Sequence, residues 1–371
     1  MGMLEITLPL HTSVRKPPKN LRSRDHDIFA SSHHQEISPA SIERLRGVEA
    51  FGRGPLRHEG RYLQESFVTP AHAEAWRRER GHLRAAAERW IQSRSVIEAP
   101  TIWITDNGSC GYYHWISGAL SRLEMASRSH DLGELTLLLP YQYRQHAYIQ
   151  PSLKPYGLGE IRFLKRFERV YCQNLILPSH VAVPGNYNQP IIQQMHQRFR
   201  SYLAETPCRH CDRVANEFGQ RVYISRSGAT RRRIANEAAI LPVLRKHGFS
   251  IFTAEQHDWR VQIQVAAAAK YLVSNHGAGL THMLMMATGG RVLEIRDAMN
   301  ETSNCYFALA SASQLDYYYA LAQPANSPQS SPLGETEMEP ETLDAALTEM
   351  LSSSCELSRR VRRAQDVDVA R

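Results

Sequence analysis

The sequence predicts an α/β protein with two Rossmann-like domains, an irregular N-terminal arm and a C-terminal helix. From about residue 100, short apolar stretches typical of buried strands alternate with amphipathic stretches typical of helices. This alternation occurs twice, on either side of the polar stretch TPCRHCDRVANEFG at residues 206–219. Strands that alternate with helices in this way form parallel sheets, which bind ligands at the carboxyl ends of their strands.

The same patterns divide the chain into four segments. Residues 1–95 are expected to form the arm, a hairpin and a helix, and residues 96–205 the first Rossmann-like domain. Residues 206–325 are expected to form the second domain, and residues 326–371 a linker, a closing helix and a polar tail. The predicted strands are TIWITD, ELTLLLP, EIRFL and CQNLILP in the first domain and RVYISR, FSIFTA, KYLVSN, RVLEIRD and LDYYYAL in the second.

The composition is typical of a soluble globular protein with an anionic partner. The apolar fraction is 42%, the charged fraction is 22%, and the net charge of +7 gives a pI near 9.1. This charge favours nucleic acid, a membrane surface or a phosphorylated small molecule, without choosing among them. No apolar run approaches the roughly 18 residues that cross a bilayer. Because the first residues also lack a signal-peptide pattern, the expected compartment is the cytoplasm.

Several nucleotide and metal motifs are absent from the sequence. It contains neither G-x-x-x-x-G-K-[ST] nor G-x-G-x-x-G. Asp-x-Asp occurs only in polar terminal segments, at residues 25–27 and 366–368, so arginine is expected to neutralise phosphate in place of a metal. Cys208 and Cys211 form a single C-x-x-C in the polar stretch, where a plain loop is favoured over a metal or redox site.

The stretch KYLVSNHGAGLTH, residues 270–282, has the pattern of an anion-binding turn. A short buried strand ends in a polar pair and is followed by Gly277 and Gly279, and an apolar, helix-forming run follows. Glycines permit a sharp turn and leave the backbone N–H groups uncovered, and such groups at a helix N-terminus bind anions. The alternative is a tight turn that binds nothing.

An arginine cluster precedes this turn by one strand–helix unit. In YISRSGATRRRIANE, residues 223–237, Ser225 and Arg226 follow a strand, Arg232 lies in the same loop, and Asn236 begins a helix. Both loops would open at one edge of one parallel sheet, where guanidinium groups suit bidentate phosphate contacts. The alternative is a solvated basic loop.

Two further residues have candidate roles. Glu294, inside the apolar strand RVLEIRD, suits a contact with ribose hydroxyls or an ion pair with an arginine. His114 lies near the start of a helix that follows a strand. It suits a base, a substrate contact or a packed histidine beside aromatic residues.

Together these stretches resemble glycosyltransferase family 61 over roughly residues 100–320. The family's motifs correspond here to HWISGALSRL, to SR…R…NE from Ser225, to HGAGLTH and to VLEI with Glu294, and Gln262 matches a Gln that the family carries in the helix before HGAGLTH. Their order and spacing agree across four motifs. The resemblance implies a GT-B-like fold, in which two Rossmann-like domains face a central cleft, and an inverting, nucleotide-sugar-dependent transferase.

The resemblance also implies roles for individual residues. Arg226, Arg232 and Ser225 would hold the donor diphosphate, and His114 would face the acceptor. The nucleotide would be bound by His276, Gly277, Ala278, Gly279, Leu280, Thr281, Glu294 and Asn236. Many relatives carry an acidic residue four positions after the histidine of the HW motif, where this chain has Gly118. The base therefore stays open among His114, Glu124 and Asp106.

The expected function is transfer of a sugar from a nucleotide-sugar donor to a glycan hydroxyl, in surface polysaccharide biosynthesis. Neither a cofactor nor a metal is expected. The acceptor would be a glycan or a lipid-linked glycan, which would bring the protein to the inner face of the membrane as a peripheral contact. The first alternative is a non-catalytic nucleotide- or sugar-binding homologue that has lost its base. The second is a nucleic-acid-binding protein, which is disfavoured because interleaved basic and aromatic motifs are missing.

Overall fold

A computed structural model describes residues 3–79, 93–299, 303–325 and 334–352. These residues fold as a mixed α/β protein with several sheets. The chain divides into two units, Met1–Ser13 with Gln35–Thr206 and Val14–His34 with Pro207–Arg371.

The described residues include nineteen strands. They are β1 Met3–Leu8, β2 His11–Val14, β3 His34–Ile37, β4 Ala40–Leu45, β5 Val48–Phe51, β6 Leu56–His58, β7 Arg61–Tyr62, β8 Ser93–Ile97, β9 Thr101–Ile102, β10 Thr136–Leu139, β11 Glu160–Phe163, β12 Glu168–Cys172, β13 Leu175–Pro178, β14 Arg221–Ile224, β15 Ser250–Phe252, β16 Tyr271–Asn275, β17 Arg291–Asp297, β18 Asp316–Pro324 and β19 Thr336–Glu337.

The α-helices are fewer. They are α1 His26–Ala30, α2 Pro70–Glu79, α3 Tyr112–His114 continuing through the π-helical turn Trp115–Ala119 to Leu120–Ala126, α4 Ile149–Leu153, α5 Gln189–Glu205, α6 Arg209–Phe218, α7 Glu237–Lys246, α8 Trp259–Ala268, α9 Cys305–Ala312 and α10 at 340–352. Short 3₁₀ segments occur at Ser23–Asp25, Gln64–Ser66, Leu132–Glu134, Tyr141–Gln145, Lys154–Tyr156, Ala254–Gln256 and Ala278–Met285.

The second unit contains a six-stranded sheet in the order β15-β14-β16-β17-β18-β19. The first five are mutually parallel, and the short β19 pairs antiparallel with β18. Numbered along the chain, the parallel strands have the order 2-1-3-4-5, which is a common order of doubly wound folds. All five strands were predicted from the sequence, and the structure confirms them.

Successive side chains of these strands point to opposite faces of the sheet, and apolar side chains are buried on both faces. Tyr223, Val273 and Leu293 point to one face, where they pack with residues of α7 and α10 in a single core cluster. Their strand neighbours, such as Leu272 and Val292, point to the other face and are also fully buried. Strands buried on both faces have nearly continuous apolar sequences, which is the pattern KYLVSN and RVLEIRD show.

The first unit departs from a simple parallel sheet. Strands β13, β9, β10 and β11 run parallel in that order, but β1 and β4 extend the sheet antiparallel beyond β13. A second sheet has the order β7-β6-β5-β12-β8. The four strands predicted for this region are present.

The expectation of an irregular N-terminal arm is wrong for the described residues. The segment 3–62 forms seven strands, which take part in three sheets. These strands were missed because they are short and rich in charged residues, as in ASIERL of β4, where only alternate side chains are buried. The long helix expected after residue 70 is described as α2, and its continuation over 80–92 lies outside the described residues. The closing helix is described at 340–352, and the polar tail also lies outside.

The polar stretch 206–219 is a helix and not the predicted loop. Cys208 caps the N-terminus of α6, where its sulfur accepts a hydrogen bond from the amide of Cys211, and the two cysteines form a disulfide. Val214 and Ala215 pack inward from this helix. Its apolar positions are few, which is why the sequence pattern did not indicate a helix.

Residues 14–34 form part of the second unit although they precede the first unit's main segment. Phe29 is fully buried and lies with its ring 5.2 Å from that of Phe307. The guanidinium of Arg296 lies 5.0 Å from the Phe29 ring centroid. Asp25, part of one Asp-x-Asp triplet, accepts a hydrogen bond of 2.6 Å from Tyr319 and is buried. This segment is therefore integral to the unit's core.

The described residues lack both a membrane-spanning helix and a metal-binding cluster. None of their helices is long and apolar enough to cross a bilayer. None of their His, Cys, Asp and Glu side chains gather in groups of three or more that could hold a metal ion.

Candidate functional site

The loops after β14 and β16 lie at the switch point of the second unit's sheet. These strands are neighbours, and the chain leaves β14 toward β15 on one side and leaves β16 toward β17 on the other. In doubly wound sheets, ligands bind in the crevice that such a divergence opens at the carboxyl ends of the strands. The two loops singled out from the sequence therefore meet at one edge.

The loop after β14, residues 225–236, is named the arginine loop, and Glu237 holds it at both ends. This carboxylate, at the start of α7, accepts hydrogen bonds of 2.8 Å from Ser225 Oγ and 2.7 Å from the hydroxyl of Tyr223. Ser225 is buried, and its hydroxyl also accepts a bond from the amide of Ser227. The SR…NE pattern is thereby explained structurally, because the serine and the glutamate fix where the arginines project.

Arg226 and Arg232 form a cationic pair in this loop. The Nε atoms of both are buried and have no hydrogen-bond partner, and neither arginine forms an ion pair among the described residues. Burial lowers the pKa of Arg226, and the positive charge of Arg232 lowers it further. Arg232 has a left-handed backbone with φ +55°, and its carbonyl accepts a hydrogen bond from Asn275. Two like charges held together with unpaired donors favour binding of an anion.

The glycine turn, residues 276–279, packs directly against Arg226. A Cβ atom at Gly277 would lie 2.7 Å from Cζ of Arg226, and one at Gly279 would lie 3.0 Å from Cγ2 of Ile224. Gly277 is buried, whereas Ala278 and Gly279 are half-buried. The absence of a side chain at Gly277 therefore lets the guanidinium of Arg226 lie against bare backbone.

Replacing Gly277 with alanine is expected to weaken nucleoside diphosphate binding about 10-fold with little loss of stability. The added methyl group forces the guanidinium of Arg226 to shift, which removes roughly one charge-assisted hydrogen bond. Isothermal titration measures the affinity. Gly228→Ala is the matched control, because a Cβ there meets nothing within 4 Å. Equal affinities for the two variants would contradict the assigned contact.

The segment after the turn is a 3₁₀ helix, Ala278–Met285, and not the expected regular helix start. The ring of His282 donates from Nδ1 to the carbonyl of Gly279 at 2.9 Å, which occupies an acceptor of the first turn. Its Nε2 lies 3.0 Å from Oε1 of Gln262. Burial lowers the pKa of His282 to about 4. Gln262 and His282 therefore position the turn from below.

Two residues expected at the nucleotide have their polar atoms engaged by the protein. Glu294 is fully buried and accepts hydrogen bonds of 2.5 Å from His276 Nδ1 and 2.5 Å from the Tyr317 hydroxyl. The amide of Asn236 bonds the backbone of Met338 in both directions, at 2.9 Å each. In this structure Glu294 orients His276, and Asn236 ties the arginine loop to the segment before α10.

The remaining turn residues differ in accessibility. Leu280 and Thr281 are buried below the turn, so only their backbone atoms are placed to meet a ligand. His276 keeps a partly exposed ring, which packs at 5.0 Å from the ring of Tyr306. The structure thus gathers Arg226, Arg232, His276 and the two glycines at one site.

A second cavity lies in the first unit and contains two of the three candidate bases. Asp106 and His114 line it, as do Gly118 of the π-helical turn and His180. The space between its lining residues is about 520 Å³, part of which is open to solvent. π-helical turns are frequent at functional sites. Burial lowers the pKa of His114, which favours its neutral form.

Asp106 is fixed in this cavity as a carboxylate. It accepts hydrogen bonds of 2.8 Å from the amide of Gly108, 2.8 Å from Ser109 Oγ and 3.0 Å from His180 Nε2. Burial alone would raise the pKa of Asp106. The bond from His180 and the charge of the buried Arg122 outweigh that effect and hold the pKa well below its usual range. Neither His180 nor Arg122 was among the candidate site residues predicted from the sequence.

Glu124, the third candidate base, does not line this cavity. Its carboxylate is almost fully buried and pairs with Arg198 through bonds of 2.7 Å and 3.0 Å. The guanidinium of Arg198 also lies 4.7 Å from the ring of Tyr156. Both carboxylate oxygens are engaged, so Glu124 is a structural ion-pair partner.

The fold and these residues define an α/β protein that carries a pair of arginines at the switch point of a parallel sheet. A family model described as glycosyltransferase 61 matches residues 112–293, which include His114, the arginine loop and the glycine turn. This segment of the chain belongs to glycosyltransferase family 61. A search among curated proteins found no match.

Proposed function

We propose that the protein is an inverting, metal-independent glycosyltransferase that transfers a sugar from a nucleotide-sugar donor to a glycan hydroxyl. The pair of Arg226 and Arg232 beside Gly277 carries this proposal. Two guanidinium groups with buried, unpaired donors next to bare backbone match the charge and geometry of a diphosphate. Fixed cations at this position would also stabilise the charge that develops on a leaving nucleoside diphosphate, without a metal.

The proposal includes a GT-B-like arrangement and an acceptor bound in the first unit's cavity. The cavity lining supports a neutral, hydroxyl-bearing acceptor, because its described side chains include Tyr113, Asn186 and Tyr187 but no lysine or arginine. Surface polysaccharide is the proposed product. A cytoplasmic location with peripheral membrane contact is proposed on the net charge of +7.

A thermal-shift panel without added metal tests the donor site. UDP, GDP, CMP, NAD and a short RNA are compared on wild type, Arg232→Ala and the control Arg231→Ala, which changes an exposed arginine of the same loop. A ligand that binds only the folded state stabilises it by about 2.7 kcal/mol at 100 times its Kd. One nucleoside diphosphate is expected to raise the Tm of wild type and Arg231→Ala by several degrees and that of Arg232→Ala by much less.

Three results would contradict the proposal. An equal shift in Arg232→Ala would mean that the diphosphate binds elsewhere. Stabilisation by RNA alone, with a steep dependence on salt, would favour the nucleic-acid alternative. Binding of a nucleoside diphosphate without turnover of its sugar derivatives would favour the non-catalytic homologue.

A further inference from the structure

His180 and Asp106 lie beyond the carboxyl ends of two neighbouring parallel strands. Asp106 follows β9, and His180 follows β13, which pairs with β9. The backbone at His180 is anchored by the preceding Ser179, which exchanges hydrogen bonds of 2.9 Å and 3.0 Å with Ser41 of β4. The sheet therefore fixes the position of both side chains, as it fixes the loops of a ligand-binding edge.

The contact between the two residues fixes the tautomer of the histidine. Asp106 is held as a carboxylate, so the hydrogen bond of 3.0 Å requires that Nε2 of His180 carries the proton. In the neutral ring, Nδ1 then has a free lone pair. Among the described residues, Nδ1 of His180 has no hydrogen-bond partner, and the side chain is about one quarter exposed and lines the cavity. A histidine oriented by a buried carboxylate is prepared to accept a proton.

We propose that His180 is the general base that deprotonates the acceptor hydroxyl, with Asp106 as its positioning residue. This inference rests on the proposed function. Nδ1 takes the proton of the hydroxyl as its oxygen attacks the anomeric carbon of the donor. The bond from that carbon to the diphosphate oxygen breaks, and the nucleoside diphosphate leaves with the electron pair. The Asp106 carboxylate stabilises the imidazolium that forms.

The other candidates fit this role less well. Asp106 receives three hydrogen bonds and has a depressed pKa, so it is a weak base. Glu124 is paired with Arg198 outside the cavity. His114 lines the cavity, but no carboxylate bonds its ring among the described residues, so its tautomer is not fixed in the same way.

Azide distinguishes a base from a residue needed for folding or donor binding. Azide attacks the anomeric carbon as an anion and gives up no proton, so its transfer needs no base. Wild type, His180→Ala, His114→Ala and the control His210→Ala, which changes an exposed histidine of the second unit, are incubated with a panel of UDP-, GDP- and CMP-sugars. Each receives either pooled methyl glycosides or sodium azide, and mass spectrometry measures glycoside and glycosyl azide products.

His180→Ala is expected to lose about 10²- to 10⁴-fold in transfer to hydroxyl acceptors and to keep transfer to azide. His210→Ala is expected to keep both. Loss of azide transfer in His180→Ala with nucleotide binding intact would overturn the inference. The reverse pattern would also overturn it: if His114→Ala lost transfer to hydroxyl acceptors and kept transfer to azide while His180→Ala kept both, His114 would be the base.

Two further readouts separate failure of the base from failure of the proposed function. The thermal shift with nucleoside diphosphates is measured on the same samples, and its absence in wild type together with absent turnover would remove both proposals. Independently of turnover, ¹⁵N NMR of the His180 ring must show that its neutral form carries the proton on Nε2. A proton on Nδ1 in the neutral form would overturn the inference even if the donor site is correct.

Discussion

Replacing Glu294 with alanine is expected to lower the free energy of unfolding by about 3 kcal/mol or more, since the loss of one partner from a buried charged network has a large cost. Glu294 is fully buried and bonds His276 and Tyr317, and the guanidinium of Arg296 is close by and almost fully buried. Without the carboxylate, the buried guanidinium of Arg296, the buried hydroxyl of Tyr317 and the ring of His276 each lose a partner. Denaturant unfolding followed by circular dichroism measures the change.

The stabilisation by Glu294 is also expected to depend on pH. Burial would raise the pKa of Glu294, but the charge and hydrogen bond of His276 and the charge of Arg296 lower it below the ordinary value of 4.5. A carboxyl whose pKa is depressed by folding stabilises fully above its unfolded value and loses that contribution as the pH falls. The difference between wild type and Glu294→Ala should therefore be full near pH 7 and narrow below pH 4.5.

Glu335→Ala is the matched control for this prediction. Glu335 forms an exposed ion pair with Arg233 in the same unit, and exposed pairs contribute roughly 0–1 kcal/mol. A loss of stability in Glu294→Ala no larger than in Glu335→Ala would show that the buried network is not a principal support of the second unit.

Replacing Arg226 with lysine is expected to reduce affinity for the nucleoside diphosphate by about 10- to 100-fold. The ammonium keeps the positive charge but lacks the planar, forked donors that bind two phosphate oxygens together. It also lacks the donor that bonds the carbonyl of Arg231 at 3.2 Å and fixes the side chain over Gly277. Isothermal titration with the nucleoside diphosphate that stabilises wild type measures the effect.

Arg245→Lys on the exposed side of α7 is the matched control, since it makes the same chemical change away from the site. Unchanged affinity in both variants would indicate that Arg226 contributes only charge, or that the diphosphate does not contact it.

The second unit's sheet could be predicted from the sequence because its signals are local. Strands such as β14 and β16 are short apolar runs bounded by polar loops, and the rule that ligands bind at strand ends then selected the arginine loop and the glycine turn. Gly277 was recognisable from its neighbours in sequence. Its contact with Arg226 was not, since that depends on the pairing of β14 with β16.

The dyad of Asp106 and His180 shows what local patterns miss. The two residues are 74 positions apart and meet only because β9 and β13 pair. The stretch LILPSH does place a histidine just after a predicted strand, so the strand-end rule could have identified it. Glu294 shows a second limit of local patterns, because its strand position was predicted correctly but its burial and its bonds to His276 and Tyr317 were not.

The segment 14–34 has a consequence for how the chain is made. A ribosome releases this segment before residues 35–206 of the first unit, and the sheet of the second unit follows only afterwards. Domains generally fold in the order of their synthesis. Phe29 must therefore wait for Phe307 and Arg296 before it is buried. The two units cannot be separated by a single cut, and a fragment that begins at Pro207 would expose the apolar surface that Phe29 covers.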